Sequence, residues 1–219
     1  MSVKIKICGV RTSEALDALI AEGADYFGLV FYPPSPRDIP VAEARALVER
    51  AGGRAEAVAL LIDPDPQEAA RIAREVAPAY LQLHGHESPD LVARIKDETG
   101  LPVIKAVRID DAGDVERAQA YRSAADILLY DAKERADATA RLPGGNGVPF
   151  DWRLLTGIKK QRRFMLSGGL TPDNVAAAIN LTRAPMVDVS SGVERRRGEK
   201  DPELIARFIA AARAAPQLG

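Results

Sequence analysis

Eight times along this chain a short apolar run is followed by a longer amphipathic stretch. The strand-like runs are Val3–Cys8, Tyr26–Phe31, Ala57–Ile62, Tyr80–Leu83, Val103–Val107, Ile127–Tyr130, Arg163–Ser167 and Met186–Val189. Helical patterns follow near Ser13–Glu22, Val41–Ala51, Pro66–Val76, Pro89–Thr99, Ala112–Tyr121, Trp152–Ile158, Pro172–Asn180 and Pro202–Ala212. A strict β-then-α order calls for parallel strands joined by helical crossovers. Eight such units in 219 residues suit a (β/α)8 barrel, which usually takes roughly 250 residues. The expected fold is therefore α/β, a TIM barrel forming a single domain over residues 1–219. A doubly wound open sheet is the alternative. It usually stops at about five or six strands, and no G-x-G-x-x-G follows the first run here. Three helix starts are marked by a capping side chain, a first-turn proline and an acid: Ser88-Pro89-Asp90, Thr171-Pro172-Asp173 and Asp201-Pro202-Glu203. The Ala- and Arg-rich tail beyond Phe208 reads as a frayed helix end.

Side chains along a strand alternate between two faces. Val3, Ile5 and Ile7 oppose Lys4, Lys6 and Cys8; Leu81 and Leu83 oppose Gln82 and His84. Ile104 and Ala106 oppose Lys105, and Val187 and Val189 oppose Asp188 and Ser190. Helices cover the outside of a barrel, so its outer face must be apolar. The polar set is expected inside, with its last members at the C-terminal mouth. Cys8, His84, Asp131, Asp188 and Ser190 then converge on one small volume.

Cys8 is the only cysteine. It ends the first strand, Gly9 follows, and a helical pattern begins near Thr12. A thiol at such a turn can be a base, a nucleophile or a ligand, whereas an ordinary lone cysteine is a small buried hydrophobe. One cysteine forms no internal disulfide and suits a reducing cytoplasm. Cys8 with His84 and His86 does not make a structural zinc set, so no metal is expected. A net charge of -1 implies no general attraction to nucleic acid or to an anionic membrane. No apolar run reaches the ~18 residues of a membrane span, and the N-terminus reads into a strand without a signal peptide.

Two glycine-bearing loops are placed for an anion. Ser167-Gly168-Gly169-Leu170 follows the seventh strand, and Ser190-Ser191-Gly192 follows the eighth. Glycines let backbone amides approach a ligand, and phosphate sites in these barrels recur at those two positions. Gly144-Gly145-Asn146-Gly147, after the sixth strand, is either a lid or a plain surface loop. The prolines of Phe31-Tyr32-Pro33-Pro34-Ser35-Pro36-Arg37 stiffen the loop after the second strand and could hold Arg37 over the mouth. Its guanidinium suits a carboxylate, although most loop arginines are simply solvated.

Taken in order, several segments resemble those of the phosphoribosylanthranilate isomerase family of tryptophan biosynthesis. They are Lys6-Ile7-Cys8-Gly9 with Arg11, the Phe31–Arg37 loop, Gln82-Leu83-His84-Gly85 and Asp131. Phe150-Asp151-Trp152, Ser167-Gly168-Gly169-Leu170 and Asp188-Val189-Ser190-Ser191-Gly192-Val193-Glu194 complete the series. The loop after the sixth strand departs from it, with Asn146 where the family usually has threonine between glycines. The resemblance implies a cofactor-free Amadori rearrangement of N-(5'-phosphoribosyl)anthranilate, a small-molecule substrate. It makes Asp131 the general acid and Cys8 the general base. Arg37 is then expected to hold the anthranilate carboxylate. Amides at Gly168, Gly169, Ser190, Ser191 and Gly192 are expected to hold the phosphate.

Some roles stay open. Lys6 lies on the face of Cys8, where it either favours the thiolate or pairs with Asp188. Asp188 is a lysine's partner or a substrate contact, and His84 borders the substrate or is a hydrogen-bonded wall. An indole-glycerol-phosphate synthase would want lysine and glutamate at strand ends. A histidine-pathway isomerase would want two aspartates. A non-catalytic phospho-ligand sensor would not need both Cys8 and Asp131. No exposed apolar helix stripe stands out, so a monomer is the default.

Overall fold

The computed structural model describes residues 2–132 and 164–215, together with Trp152 and Leu155. Eight parallel strands pair in sequence order into a closed barrel. They are β1 (Lys4–Cys8), β2 (Tyr26–Phe31), β3 (Glu56–Leu61), β4 (Tyr80–Leu83), β5 (Val103–Ile109), β6 (Ile127–Ala132), β7 (Phe164–Ser167) and β8 (Met186–Val189). Closure comes from β1 against β8, with Lys4 opposite Met186 and Ile7 opposite Val189. Around the barrel lie α1 (Ser13–Ala21), α2 (Val41–Ala51), α3 (Pro66–Val76), α4 (Pro89–Thr99), α5 (Ala112–Ala118), α6 (Val175–Thr182) and α7 (Pro202–Ala214). The open-sheet alternative is thereby excluded. Arg163, the Gly144–Gly147 stretch and most of the Trp152–Ile158 helix lie outside the described residues; Trp152 and Leu155 are buried.

Apolar burial builds two layers. Outward-facing Ile5, Ile7, Phe27, Leu29, Leu81 and Leu83 join the inner faces of the helices, including Leu16, Leu19, Ile72, Ile95 and Phe208. Inside the barrel a separate cluster holds Tyr26, Val58, Ile104, Ala106, Ile127, Leu129, Met165 and Met186. The interior is thus packed, as barrels of this size require. Its buried polar side chains come from β1, β4, β7 and β8: Lys6, Gln82, Ser167 and Asp188.

Strand β5 corrects one expectation. Ile104 and Ala106 face the interior, and Lys105 faces the helices. Leu83 is its register partner. The ammonium is buried there, 2.7 Å from Glu87 Oε2 and 2.9 Å from the Gly85 carbonyl. Both faces of β5 are apolar around one lysine, so its phase is fixed by register with β4 and by the partners waiting in the helix layer.

Capping follows the sequence at two of the three marked starts. Ser88 Oγ accepts from Leu91 N (3.3 Å), and Asp201 Oδ1 accepts from Glu203 N (2.9 Å). At the third, α6 begins only at Val175. The Asn174 side chain instead accepts from Thr171 N (2.8 Å) and donates to the Gly169 carbonyl (2.9 Å). The Thr171-Pro172-Asp173 segment is therefore part of the loop after β7. The C-terminal tail also differs from expectation, because α7 stays helical to Ala214 and buries Ile209 and Ala212. Between β8 and α7 the chain makes a 3-10 turn, Ser191–Val193, and an antiparallel hairpin of β9 (Glu194–Arg196) and β10 (Glu199–Lys200).

Candidate active site

Alternation along β1 sends Lys6 and Cys8 inward at the C-terminal mouth. Gly28 of β2 is the register partner of Cys8. A Cβ at Gly28 would lie 2.8 Å from Sγ, so glycine there makes room for the thiol. Lys6 Nζ donates to Asp188 Oδ1 (2.8 Å), and Ser167 Oγ donates to Asp188 Oδ2 (3.1 Å). Both Asp188 oxygens are engaged inside the protein, so Asp188 stands as the lysine's partner. Burial pushes the Cys8 thiol up, and the neighbouring Lys6 ammonium only partly opposes this; the net position is above the ordinary 9.0. Burial alone would lower Lys6, but Asp188 and Cys8 together outweigh it and the ammonium is held above its ordinary 10.5. The resting Cys8 side chain is therefore a thiol beside a firmly charged lysine.

Across the mouth, β4 and β6 bring His84 to Asp131. The Gln82 amide nitrogen donates to His84 Nδ1 (3.0 Å), which leaves Nε2–H to donate to Asp131 Oδ2 (3.2 Å). His84 is thus a hydrogen-bonded wall residue that orients Asp131. Gln82 Oε1 is buried and has no hydrogen-bond partner among the described residues.

A cavity of about 360 Å³ opens between these strand ends. Arg108, Asp131, Ser167, Gly168, Gly169, Leu170, Asp188, Val189, Ser190 and Ser191 line it. Gly168 and Gly169 have φ of 90° and 63°, a left-handed backbone that favours glycine. Gly192 carries a packing demand beside the amide contact expected of it. A side chain there would overlap the Leu170 carbonyl, so this glycine lets the loops after β7 and β8 abut. Cys8, Arg37 and His84 are not among the cavity's lining residues, but Cys8 and His84 are tied to residues that are. Ser190 Oγ donates to the Cys8 carbonyl (3.1 Å), and His84 reaches Asp131.

Arg37 is held more firmly than a loop arginine need be. Its Nε and Nη2 donate to Glu194 Oε1 and Oε2 at 2.7 and 2.8 Å. The fork expected for a ligand carboxylate is therefore filled from within, which leaves the Nη1–Nη2 edge for an incoming group. The arginine's stem lies against Gly9, where a Cβ would come 2.6 Å from Cδ. Burial raises the Glu194 carboxyl, but the Arg37 hydrogen bonds and the Lys200 charge outweigh it and hold it below 4.5. Lys200 Nζ lies 2.7 Å from Glu194 Oε1 and 3.0 Å from the Ser190 carbonyl.

With this geometry in view, comparison with known proteins is decisive. The family model for N-(5'-phosphoribosyl)anthranilate (PRA) isomerase matches residues 5–211. The chain belongs to this family. An N-(5'-phosphoribosyl)anthranilate isomerase of Paramagnetospirillum magneticum is 50% identical over 213 residues, covering 97% of this chain and 98% of the relative. The solved phosphoribosyl anthranilate isomerase of Thermotoga maritima superposes with a TM-score of 0.86 at 37% identity, over 96% of this chain and 98% of that one. A further solved isomerase of the family, in complex with reduced 1-(o-carboxyphenylamino)-1-deoxyribulose 5-phosphate, gives a TM-score of 0.84 at 35% identity, covering 96% and 98%.

Two residues of the site escaped the sequence reading. Arg108 continues the inward series Ile104, Ala106 and lies opposite Asp131 in the ladder; extending β5 past Val107 would have found it. Lys200 sits in the charged run Glu194–Lys200, which looks like a solvated loop. Only the fold of the hairpin buries it.

Proposed function

We propose that this chain isomerises N-(5'-phosphoribosyl)anthranilate to 1-(2-carboxyphenylamino)-1-deoxyribulose 5-phosphate, with Asp131 as general acid and Cys8 as general base. The observation that carries the assignment is their placement. Both end inward-facing strand positions at the mouth, beside a cavity whose other wall is the paired loops after β7 and β8. Asp131 gives its proton to the ribose ring oxygen. The C1–O bond breaks as the nitrogen lone pair forms the iminium, with the N–H retained. Cys8, as thiolate, takes the C2 proton, and the resulting enolamine tautomerises to the aminoketone. The amides of Gly168, Gly169 and Ser191 suit the phosphate, and the free edge of Arg37 suits the anthranilate carboxylate. Asp188, His84, Ser190 and Gly192 support these groups.

Every step is a proton transfer, so the reading needs no cofactor. Among the described residues no group of three His, Cys, Asp or Glu side chains is arranged to hold a metal ion. Activity is expected to persist in excess chelator; loss that one specific metal restores would refute this. No helix of the described residues is long and apolar enough to cross a membrane. Tyr32 and Leu181 are the exposed large apolar side chains among the described residues, and so small a set favours a monomer; the single thiol, Cys8, suits a reducing cytoplasm. Light scattering of the purified chain tests the first point. The function itself is tested by complementation. The gene should restore growth without tryptophan to a strain lacking this isomerase, and failure with well-expressed protein would overturn the assignment.

A further inference from the structure

Lys200 is a buried cation that the proton transfers do not use. Its nitrogen sits between two parts of the site. On one side it donates to the Ser190 carbonyl (3.0 Å) and hydroxyl (3.3 Å), and that hydroxyl donates to the Cys8 carbonyl (3.1 Å). On the other it meets Glu194 Oε1 (2.7 Å), whose carboxylate grips Arg37 through both oxygens. The hairpin that carries it is itself anchored. Gly198 N donates to Glu194 Oε2 (3.2 Å), and a Cβ at Gly198 would lie 2.5 Å from the Pro36 carbonyl. The Pro36–Arg37 turn is thus pressed between the β9–β10 hairpin and Gly9, with Arg11 donating to the Pro36 carbonyl (3.0 Å).

We propose that Lys200 is a positioning residue for both ends of the substrate site, fixing the Arg37 guanidinium through Glu194 and the Cys8 end of β1 through Ser190. This rests on the roles given above to Cys8 and Arg37. A cation that is buried and bonded to three oxygens has one position, and so do its partners. Small displacements of positioned groups cost rate steeply. Lys200 also adds positive charge near the thiol. Among the described residues the charged groups that act on Cys8 are Lys6 from β1, Asp188 from β8 and Lys200 from β10; β2 offers Gly28 and the apolar Val30, and β3 the apolar Leu60. Lys200 therefore favours the thiolate alongside Lys6.

Lys200→Met in the full chain separates these effects, because it keeps the length and removes the charge and the donors. KM for N-(5'-phosphoribosyl)anthranilate is expected to rise about 10- to 100-fold as Arg37 loosens. The rising limb of the pH–kcat/KM profile is expected to move to higher pH, and alkylation of Cys8 by iodoacetamide at fixed pH to slow. A folded Lys200→Met protein with unchanged KM and pH limb overturns the proposal. A change in only one of the two overturns the claim that one residue serves both ends. Should Lys200→Met not fold, Glu194→Gln decides, since Lys200 stays bonded to Ser190 while the charged grip on Arg37 is lost. KM then rises about tenfold or more, and an unchanged KM overturns the proposal. Failure of the underlying reading looks different: Cys8→Ala and Arg37→Ala would then turn over normally whatever Lys200 does.

Discussion

At the scale of single residues the site asks two opposite things of Cys8. The thiol is buried, which holds it neutral, yet a base must be anionic. Lys6 is the nearest remedy and is itself bound to Asp188. Because burial wins, the free enzyme's thiol titrates above its ordinary 9.0, and thiolate fills in as pH rises toward that value. Two expectations follow from the sign of the shift. Iodoacetamide should label Cys8 more slowly than a free thiol peptide at neutral pH, with a rate still climbing past pH 9.0; a midpoint below that would contradict the balance of burial over charge. Cys8→Ala and Asp131→Asn should each lower kcat by about 10²- to 10⁴-fold, the usual cost of losing a positioned proton-transfer group, while product still binds by equilibrium titration. Near-normal turnover in Cys8→Ala would return Cys8 to a buried structural thiol. The inward position of both side chains was legible in the sequence, because alternation places strand-end side chains without knowledge of the fold's details; their acid and base roles came from the family resemblance. The engagement of Arg37 was not. Its partner Glu194 is 157 positions away, and no local pattern reports a pairing of that span.

Among the elements, the β4–α4 connection shows how a strand end is made rigid. Glu87 is buried and accepts from Asp63 N (2.9 Å) and Gly85 N (3.0 Å), while Lys105 pairs with it from β5 (2.7 Å). The loop that follows His84 is thus fastened to β3 and β5 at once. Removing one member leaves the other buried without its counter-charge, held only by backbone groups. Lys105→Met is accordingly expected to destabilise the fold by about 3–5 kcal/mol, measured by urea unfolding. Adding Glu87→Gln should recover part of that loss. A Lys105→Met protein as stable as its parent would show the pair to be dispensable. The hairpin β9–β10 gives a pH counterpart. Glu194 titrates below its ordinary 4.5, so its contribution to stability is full above that value and is lost as pH falls through the lower folded-state value. Thermal midpoints measured down the acid range should fall less steeply in Glu194→Gln than in the parent. The element pattern itself was readable, because period-two and helical stretches alternate along the chain. What stayed hidden were choices made by neighbours: the phase of β5, the late start of α6 behind the Asn174 bonds, and a hairpin of charged residues that looks like solvent-exposed loop.

For the whole molecule, the deciding contact is the seam where the first strand meets the last. Lys6 and Asp188 are 182 positions apart and form a 2.8 Å ion pair inside the barrel, next to the register Lys6–Asp188 that closes it. A closed barrel could be inferred from eight β-then-α units, since no other common arrangement leaves eight parallel strands without an edge. That the seam carries a buried charge pair beneath the thiol could only be listed among open possibilities. The pair has both a structural and a chemical side, and one series of variants divides them. Lys6→Met leaves Asp188 buried with Ser167 as its one side-chain donor among the described residues, and is expected to cost about 3–5 kcal/mol in urea unfolding. Lys6→Met with Asp188→Leu fills the same space without charge, so most of that stability should return. Activity should not return with it, because the Lys6 ammonium is then gone from beside Cys8 and only the Lys200 charge is left to favour the thiolate, and the rising limb of the pH–kcat/KM profile should move further to the alkaline side. Recovery of turnover along with stability in the double variant would mean that Lys6 serves closure alone. In that event the electrostatic support of the thiolate would have to come from Lys200, whose charge acts on the same thiol from the hairpin beyond β8.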